Sequence, residues 1–195
     1  MQYIAHRINW LNDLKKLPEG MGAEIDLRSW GEEIHMDHDA FKKGESFSDF
    51  LREWVVKKRG TLILNMKEDG LENGVMESLH RFGIEDYFFL DLPFPTVVRM
   101  ALNEEISSLA VRVSEFEPLE LALNLKGKID WVWVDCFSGE PPSEELLRAL
   151  SGFKICLVSP ELQKYPLQQI DKFLHLKELL HSVCTKSPEK WGWIK

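Results

Sequence analysis

Cysteine is scarce and poorly placed for chemistry. Cys136, Cys156 and Cys184 make an odd number of thiols with no CxxC pair and no metal-ligand spacing, which argues against a disulfide framework and a thiolate metal centre. Each lies in an apolar run, so all three read as buried free thiols. Positive charge is also in deficit: 24 Lys and Arg against 32 Asp and Glu give a net charge of -8. That excludes nucleic acid and anionic lipid as general partners, because both are bound through clustered cations, and an anionic substrate would need a metal or a few placed Lys and Arg. No apolar run approaches the ~20 residues of a membrane span, and the start, Met1-Gln-Tyr-Ile-Ala-His6, has neither the basic segment nor the apolar core of a signal peptide. A cytoplasmic protein with no membrane partner is expected. Internal repeats, low-complexity segments and interdomain linkers are missing too. With 44% apolar and 29% charged residues, the chain fits one globular domain over residues 1–195.

Short apolar runs alternate with helical patterns along the chain. Strand candidates begin near Tyr3 and cover Ala23–Leu27, Thr61–Met66, Tyr87–Leu92, Leu109–Val113, Trp131–Val134, Lys154–Val158 and Ser182–Thr185. Between them, apolar spacing of three and four predicts helices over Asn9–Leu17, Phe47–Lys58, Gly74–Phe82, Val97–Asn103, Leu119–Leu125, Pro142–Leu150 and Ile170–Leu180. About eight alternations are the signature of parallel strands joined by crossover helices. The count favours a compact (β/α)8 TIM barrel over an open doubly wound sheet, at a length near the ~200-residue lower limit of that fold. Active sites of such barrels gather at the C-terminal ends of the strands. Here those ends carry His6, Arg7, Asp26, Asn65, Lys67, Asp91, Ser114, Glu115, Asp135, Glu161 and Lys186.

The stretch from Tyr3 to Phe41 concentrates the titratable groups. Glu24 and Asp26, two apart on a strand, point to the same side. Two carboxylates on one face, near His6 and His38, suggest a divalent ion and proton transfer. The rival arrangement is a buried ion network in which Arg7 and Lys67 satisfy the two acids.

These residues resemble the glycerophosphodiester phosphodiesterase family of the phospholipase C-like barrels. Ala5-His6-Arg7 matches its opening strand, Glu24-Ile-Asp26 its Glu-x-Asp, and the turn and extended segment from Gly31 to His38-Asp39 its His-Asp. Asn65-Met-Lys67 stands where the family has Glu-x-Lys, and Thr185-Lys186-Ser187-Pro188 matches most of its terminal Thr-Asp-x-Pro. The resemblance implies metal-dependent hydrolysis of a small soluble phosphodiester, with His6 and His38 as the acid/base pair. Glu24, Asp26 and Asn65 would hold Mg2+ or Ca2+, with Asp91 or Asp135 as possible compensating ligands. Arg7 and Lys67 would bind phosphate, and Trp30 would form a substrate wall. Asp39 would orient His38 or cap its turn, while His35 and Asp37 lie outside the motif. Two departures stand out. Asn65 replaces a carboxylate, which lowers metal affinity, and the segment after Asp39 is short where the family carries an insertion. The alternative is therefore a non-catalytic barrel of the same family that binds a phosphorylated metabolite.

Overall fold

A computed structural model of the chain describes residues 1–194. Eight parallel strands form a curled sheet: β1 (Gln2–Ala5), β2 (Gly22–Trp30), β5 (Leu62–Met66), β6 (Tyr87–Leu90), β7 (Ala110–Val113), β8 (Trp131–Val134), β9 (Lys154–Val158) and β10 (Ser182–Thr185). β1 pairs with β2 on one side and β10 on the other; β2 continues to β5 and β6, and β10 continues to β9, β8 and β7. The free edges, β6 and β7, meet through one bridge between Phe89 and Leu109, where the Phe89 N–H donates to the Ser108 carbonyl at 2.9 Å. The architecture is α/β and TIM-barrel-like. β2 runs past the sheet and turns into an antiparallel excursion, β3 (Glu33–Met36) and β4 (Glu45–Ser46), before the chain descends.

Period-two alternation divides each strand between two cores. Ile4, Ile63, Phe88, Ala110, Trp131, Cys156 and Cys184 face the inside of the curl, where Phe88 stacks on Trp131 with ring centroids 4.4 Å apart. Their neighbours in sequence, among them Leu62, Leu64, Phe89, Val111 and Val132, face outward and pack under the helices. The three cysteines are buried and free, as the sequence suggests, and burial pushes the thiols of Cys136 and Cys156 up to about 12.

Helices α1 (Leu11–Lys16), α2 (Phe47–Trp54), α3 (Glu72–Phe82), α4 (Phe94–Asn103), α5 (Leu119–Leu123) and α6 (Glu144–Ala149) follow the strands in turn. Their boundaries have local causes. The Ser46 and Ser143 hydroxyls accept the Asp49 and Leu146 N–H groups at the starts of α2 and α6, and α3 ends at Gly83 with φ 65°. Pro93 and Pro95 flank the start of α4, since proline is favoured in a first helical turn.

The last third departs from the expected strand–helix rhythm. Where a helix is predicted over Ile170–Leu180, the chain forms 3-10 turns at Leu167–Lys172 and Leu174–Leu179, after another at Pro160–Gln163. Ile170, Phe173 and Leu176 are fully buried, and a repeat of three is the spacing that a 3-10 helix, not an α-helix, puts on one side. After β10 the described chain makes turns rather than a helix, pinned by the buried Trp191, whose indole N–H donates to Ser159 Oγ at 2.7 Å. No helix among the described residues is long and apolar enough to cross a membrane.

Candidate active site

The alternation that builds the inner core also builds the mouth. Two residues beyond Ile4 on the same face is His6; the inward positions of β2 are Glu24 and Asp26; two beyond Ile63 is Asn65, then Lys67. The structure brings these groups into contact. Arg7 turns the chain at the end of β1 with φ 58°, a left-handed conformation that costs a non-glycine residue about 1 kcal/mol or more. The turn aims its own N–H at Glu24 Oε2, 2.7 Å away. His6 Nε2 stands 3.8 Å from the same oxygen, and the Asn65 amide donates to Glu24 Oε1 at 2.9 Å. Asp26, fully buried, takes the Asn9 amide on Oδ2 at 2.8 Å, and its own N–H donates back to Asn9 at 2.9 Å. Arg7 Nε lies 3.4 Å from Asp26 Oδ2 and Lys67 Nζ lies 3.1 Å from Oδ1.

Burial sets the protonation of this cluster. It pushes the Glu24 carboxyl up to about 7, with the Asp26 charge adding to the shift, and it pulls the His6 imidazole down to about 4, helped by Arg7 and Lys186. His6 is therefore a neutral imidazole at neutral pH, and its Nδ1 is buried without a hydrogen-bond partner.

His38 and Trp30 lie on the excursion. The His38 carbonyl accepts from Arg28 Nε and Nη2 at 3.3 and 3.1 Å, and Arg28 Nη1 reaches the Lys67 carbonyl at 3.5 Å, which ties the His38 loop to the end of β5. Asp39 Oδ1 holds His38 Nδ1 at 2.9 Å while Lys42 pairs with the other Asp39 oxygen, so the orienting role read for Asp39 has its geometry. Lys42 and His38 pull the exposed Asp39 carboxyl down to about 2. Trp30 is 43% exposed at the hairpin tip. His35 is buried between Gly44 and Glu33, a structural tie of the hairpin.

Across the mouth stands a second cluster. Arg112, on β7, pairs with Asp91, with Asp135 at 2.6 Å and with Glu117 at 3.5 Å. Asp135 also accepts from Gln163 at 2.6 Å and from the Trp133 indole at 3.4 Å. Asp91, like Arg7, has a left-handed backbone, φ 59°. A cavity of about 180 Å³ lies between the clusters and is lined by both, including His6, Arg7, Glu24, Asn65, Asp91 and Arg112. A larger cavity of about 640 Å³ runs beside α1 and the segment after β10, lined by Ala5, Leu17, Met21 and Trp193 of the outer core. It touches His6 but none of the other groups paired at the mouth, so the smaller cavity is the one the charged side chains define. Sequence reading passed over Arg112, Gln163 and Asn9. Arg112 carried a signal: it is two residues beyond Ala110, on the inward parity of β7. The other two carried none.

Mg2+ and Ca2+ take several oxygen ligands with net negative charge, and the expected set of Glu24, Asp26 and Asn65 does not fit one as arranged. Three of the four carboxylate oxygens accept a hydrogen bond, the fourth, Asp26 Oδ1, faces the Lys67 ammonium, and Arg7 and Lys67 leave no surplus of negative charge. Asn65 offers Glu24 its NH2 rather than its oxygen. Among the described residues no three His, Cys, Asp or Glu side chains are grouped as a metal site.

Neither a protein-family model nor a curated protein matches the chain. Solved structures do. An Oleispira antarctica phosphodiesterase in complex with the product sn-glycerol-3-phosphate is 17% identical with a TM-score of 0.73, over 98% of this chain and 95% of that one. A glycerophosphodiester phosphodiesterase from Agrobacterium tumefaciens is 10% identical with a TM-score of 0.68 over the whole of both chains. Another, from Parabacteroides distasonis, is 12% identical with a TM-score of 0.62, over 98% of this chain and 94% of that one. At these identities the likeness is one of fold: the chain has the α/β, TIM-barrel-like architecture on which these phosphodiesterases are built.

Proposed function

We propose that this chain is a phosphodiesterase that hydrolyses a small soluble phosphodiester of the glycerophosphodiester kind. The observation that carries the reading is the constellation of His6, Arg7, Glu24, Asp26 and Lys67, in mutual contact at the C-terminal ends of adjacent strands, on a fold shared with three solved phosphodiesterases. The same reading takes the curled sheet as a compact (β/α)8 barrel closed along the β6–β7 seam, so that all strand ends face one mouth.

In this mechanism the phosphate is held by Arg7 through its forked donors and by Lys67 as a point charge. Arg7 is 40% exposed at its side chain, so part of its fork is free for a ligand while Nε rests on Asp26. Neutral His6 accepts the proton of the attacking hydroxyl, either water or a neighbouring hydroxyl of the substrate. His38, whose Nδ1 rests on Asp39, lies on the excursion outside the cavity and would deliver a proton to the leaving alkoxide once that excursion closes over the mouth. Glu24 and Asp26 position the cations and the imidazole. Metal dependence, which the sequence resemblance implies, is left out of these steps because the donor set does not fit a divalent ion.

Hydrolysis of a panel of glycerophosphodiesters and sugar phosphodiesters is the test. Turnover of at least one is expected, and undiminished turnover in the His6→Ala, His38→Ala double variant would sink the mechanism. A second reading, binding of a phosphorylated metabolite without turnover, draws support from Asn65, which ties up Glu24 where the family pattern has a third acid. Tight binding of phosphate esters with no hydrolysis of the panel would favour it.

A further inference from the structure

We infer that Lys67 and Arg7 carry the charge-neutralising role at this site without a divalent ion, and that Asn65 is the residue that sets this. The inference deepens the phosphodiester reading and rests on it, but its geometry is separate. A divalent site needs carboxylate oxygens that are free to ligate and a surplus of negative charge. Neither is present around Glu24. Its Oε1 is capped by the Asn65 NH2 at 2.9 Å and its Oε2 by the Arg7 N–H at 2.7 Å. Asp26 accepts from Asn9 on Oδ2, while its buried Oδ1 makes no hydrogen bond and faces the Lys67 ammonium at 3.1 Å. Two acids face two cations, so an added divalent ion would enter a cluster with no surplus of negative charge and have to displace a bonded partner from three of the four carboxylate oxygens.

Asn65 is the hinge of this arrangement because its amide has two ends. Beside a carboxylate only the NH2 end can turn inward. Its Oδ1 is then buried with no hydrogen-bond donor, in a side chain that is 8% exposed and lines the mouth cavity. A glutamate at this position would reverse both effects. It would withdraw the donor from Glu24 Oε1 and would leave three acids against two cations, the surplus a divalent ion requires. The native chain instead presents a phosphoryl group with a fixed ammonium and a guanidinium, both already in place over buried counter-charges.

Binding of Mn2+ alone and of sn-glycerol 3-phosphate alone, measured by titration calorimetry on the full chain, tests this. Native protein is expected to take up no Mn2+ saturably below ~1 mM, the weak limit of protein oxygen sites. Asn65→Glu, or the smaller Asn65→Asp should the first not fold, is expected to bind Mn2+ at least about tenfold more tightly. Glycerol 3-phosphate is expected to bind native protein equally with and without EDTA, and Lys67→Ala to weaken that binding about tenfold. Saturable micromolar Mn2+ binding by the native chain, or phosphate-ester binding lost in EDTA and restored by Mn2+, overturns the inference. So does the absence of any gain in both folded Asn65 variants. If glycerol 3-phosphate fails to bind under every condition, the phosphodiester reading falls, while the Mn2+ titrations still decide whether this site is a metal site.

Discussion

The two sides of the mouth are built from the same residue types and balanced differently. On the β1, β2 and β5 side, two acids meet two cations, and a histidine sits among them as a neutral base. On the β6 to β9 side, one arginine is held by three carboxylates, and burial raises Asp135 against the pull of Arg112. The first side can hold an anion because part of Arg7 is still exposed; the second has its only guanidinium fully engaged and a surplus of negative charge. On the phosphodiester reading, a phosphate between them would be steered to the first side and the alcohol would face the second. The contrast teaches that charge alone does not mark the side that would bind an anion. What marks it is a cation with donors to spare beside a neutral imidazole.

The largest effect that can break this comparison is catalytic. His6→Ala is expected to lower kcat/KM on any hydrolysed diester by about 10²- to 10⁴-fold, the range for loss of a positioned acid or base. Gln163→Ala, across the cavity, removes one hydrogen bond to Asp135 and is expected to lower it by less than about tenfold. Steady-state kinetics of the two variants decide the matter, and a loss at Gln163 equal to that at His6 would move the chemistry to the other side.

Next in size is a stability effect, and it should be larger on the second side. Arg112→Met leaves Asp135 buried with no cation and Asp91 without its partner. About 3 kcal/mol of stability should be lost, the lower range for breaking a buried ion pair, since Arg112 is itself partly exposed. Urea unfolding at neutral pH measures it. A loss below ~1 kcal/mol would mean that the pairs behave as surface salt bridges.

The first side was largely legible in sequence because its groups fall in two short motifs, His6-Arg7 and Glu24-x-Asp26, and a third pair at Asn65-x-Lys67. A spacing of two on a strand is enough to put Glu24 with Asp26 and Asn65 with Lys67 on one face, whereas Arg7, adjacent to His6, joins them through its left-handed turn. The second side was not legible as a unit: Asp91, Arg112, Asp135 and Gln163 come from four separate segments, and while β7–β8 pairing sets Arg112 beside Asp135, Asp91 joins them only across the β6–β7 bridge. The strand order was readable from the apolar runs, which are dictated by burial on both faces. The final helix was not, because Ile170, Phe173 and Leu176 satisfy a helical window almost as well as the 3-10 repeat they adopt. Asn65 was visible as a departure, but not the direction in which its amide points; that follows from Glu24 standing beside it.

The pH dependence of stability sharpens the comparison further, since the two shifted groups of the first side pull in opposite directions. Glu24 is raised from 4.5 to about 7 in the folded chain. Between those values the folded state keeps a proton that the unfolded state has lost, so this carboxyl costs stability as pH rises. His6 is lowered from 6.5 to about 4, so here the unfolded state keeps the proton, and stability is gained as pH rises through that window. Relative to the native chain, Glu24→Gln should become steadily more stable from pH 4.5 to 7, and His6→Ala steadily less so from pH 4 to 6.5. Urea unfolding at several pH values reads both slopes. Parallel curves for native protein and Glu24→Gln would remove the buried, partly protonated carboxyl from the description of this side.

The smallest effect concerns where the first side ends. Trp30 follows Asp26 by four residues on an extended strand, which places it about 13 Å beyond the ion-paired cluster at ~3.3 Å per residue. It belongs to the excursion rather than to the wall of the cavity, and 43% of its surface is exposed. Trp30→Ala should therefore change stability by no more than about 0.5 kcal/mol, as expected of an exposed position, and should leave kcat/KM within a factor of about three if no substrate atom reaches it. A selective rise in KM for substrates with bulkier alcohols would show instead that the excursion folds over the mouth when a diester binds. Trp30 would then supply the wall the sequence suggested, and His38, tied to the same excursion through Arg28, would be carried inward with it.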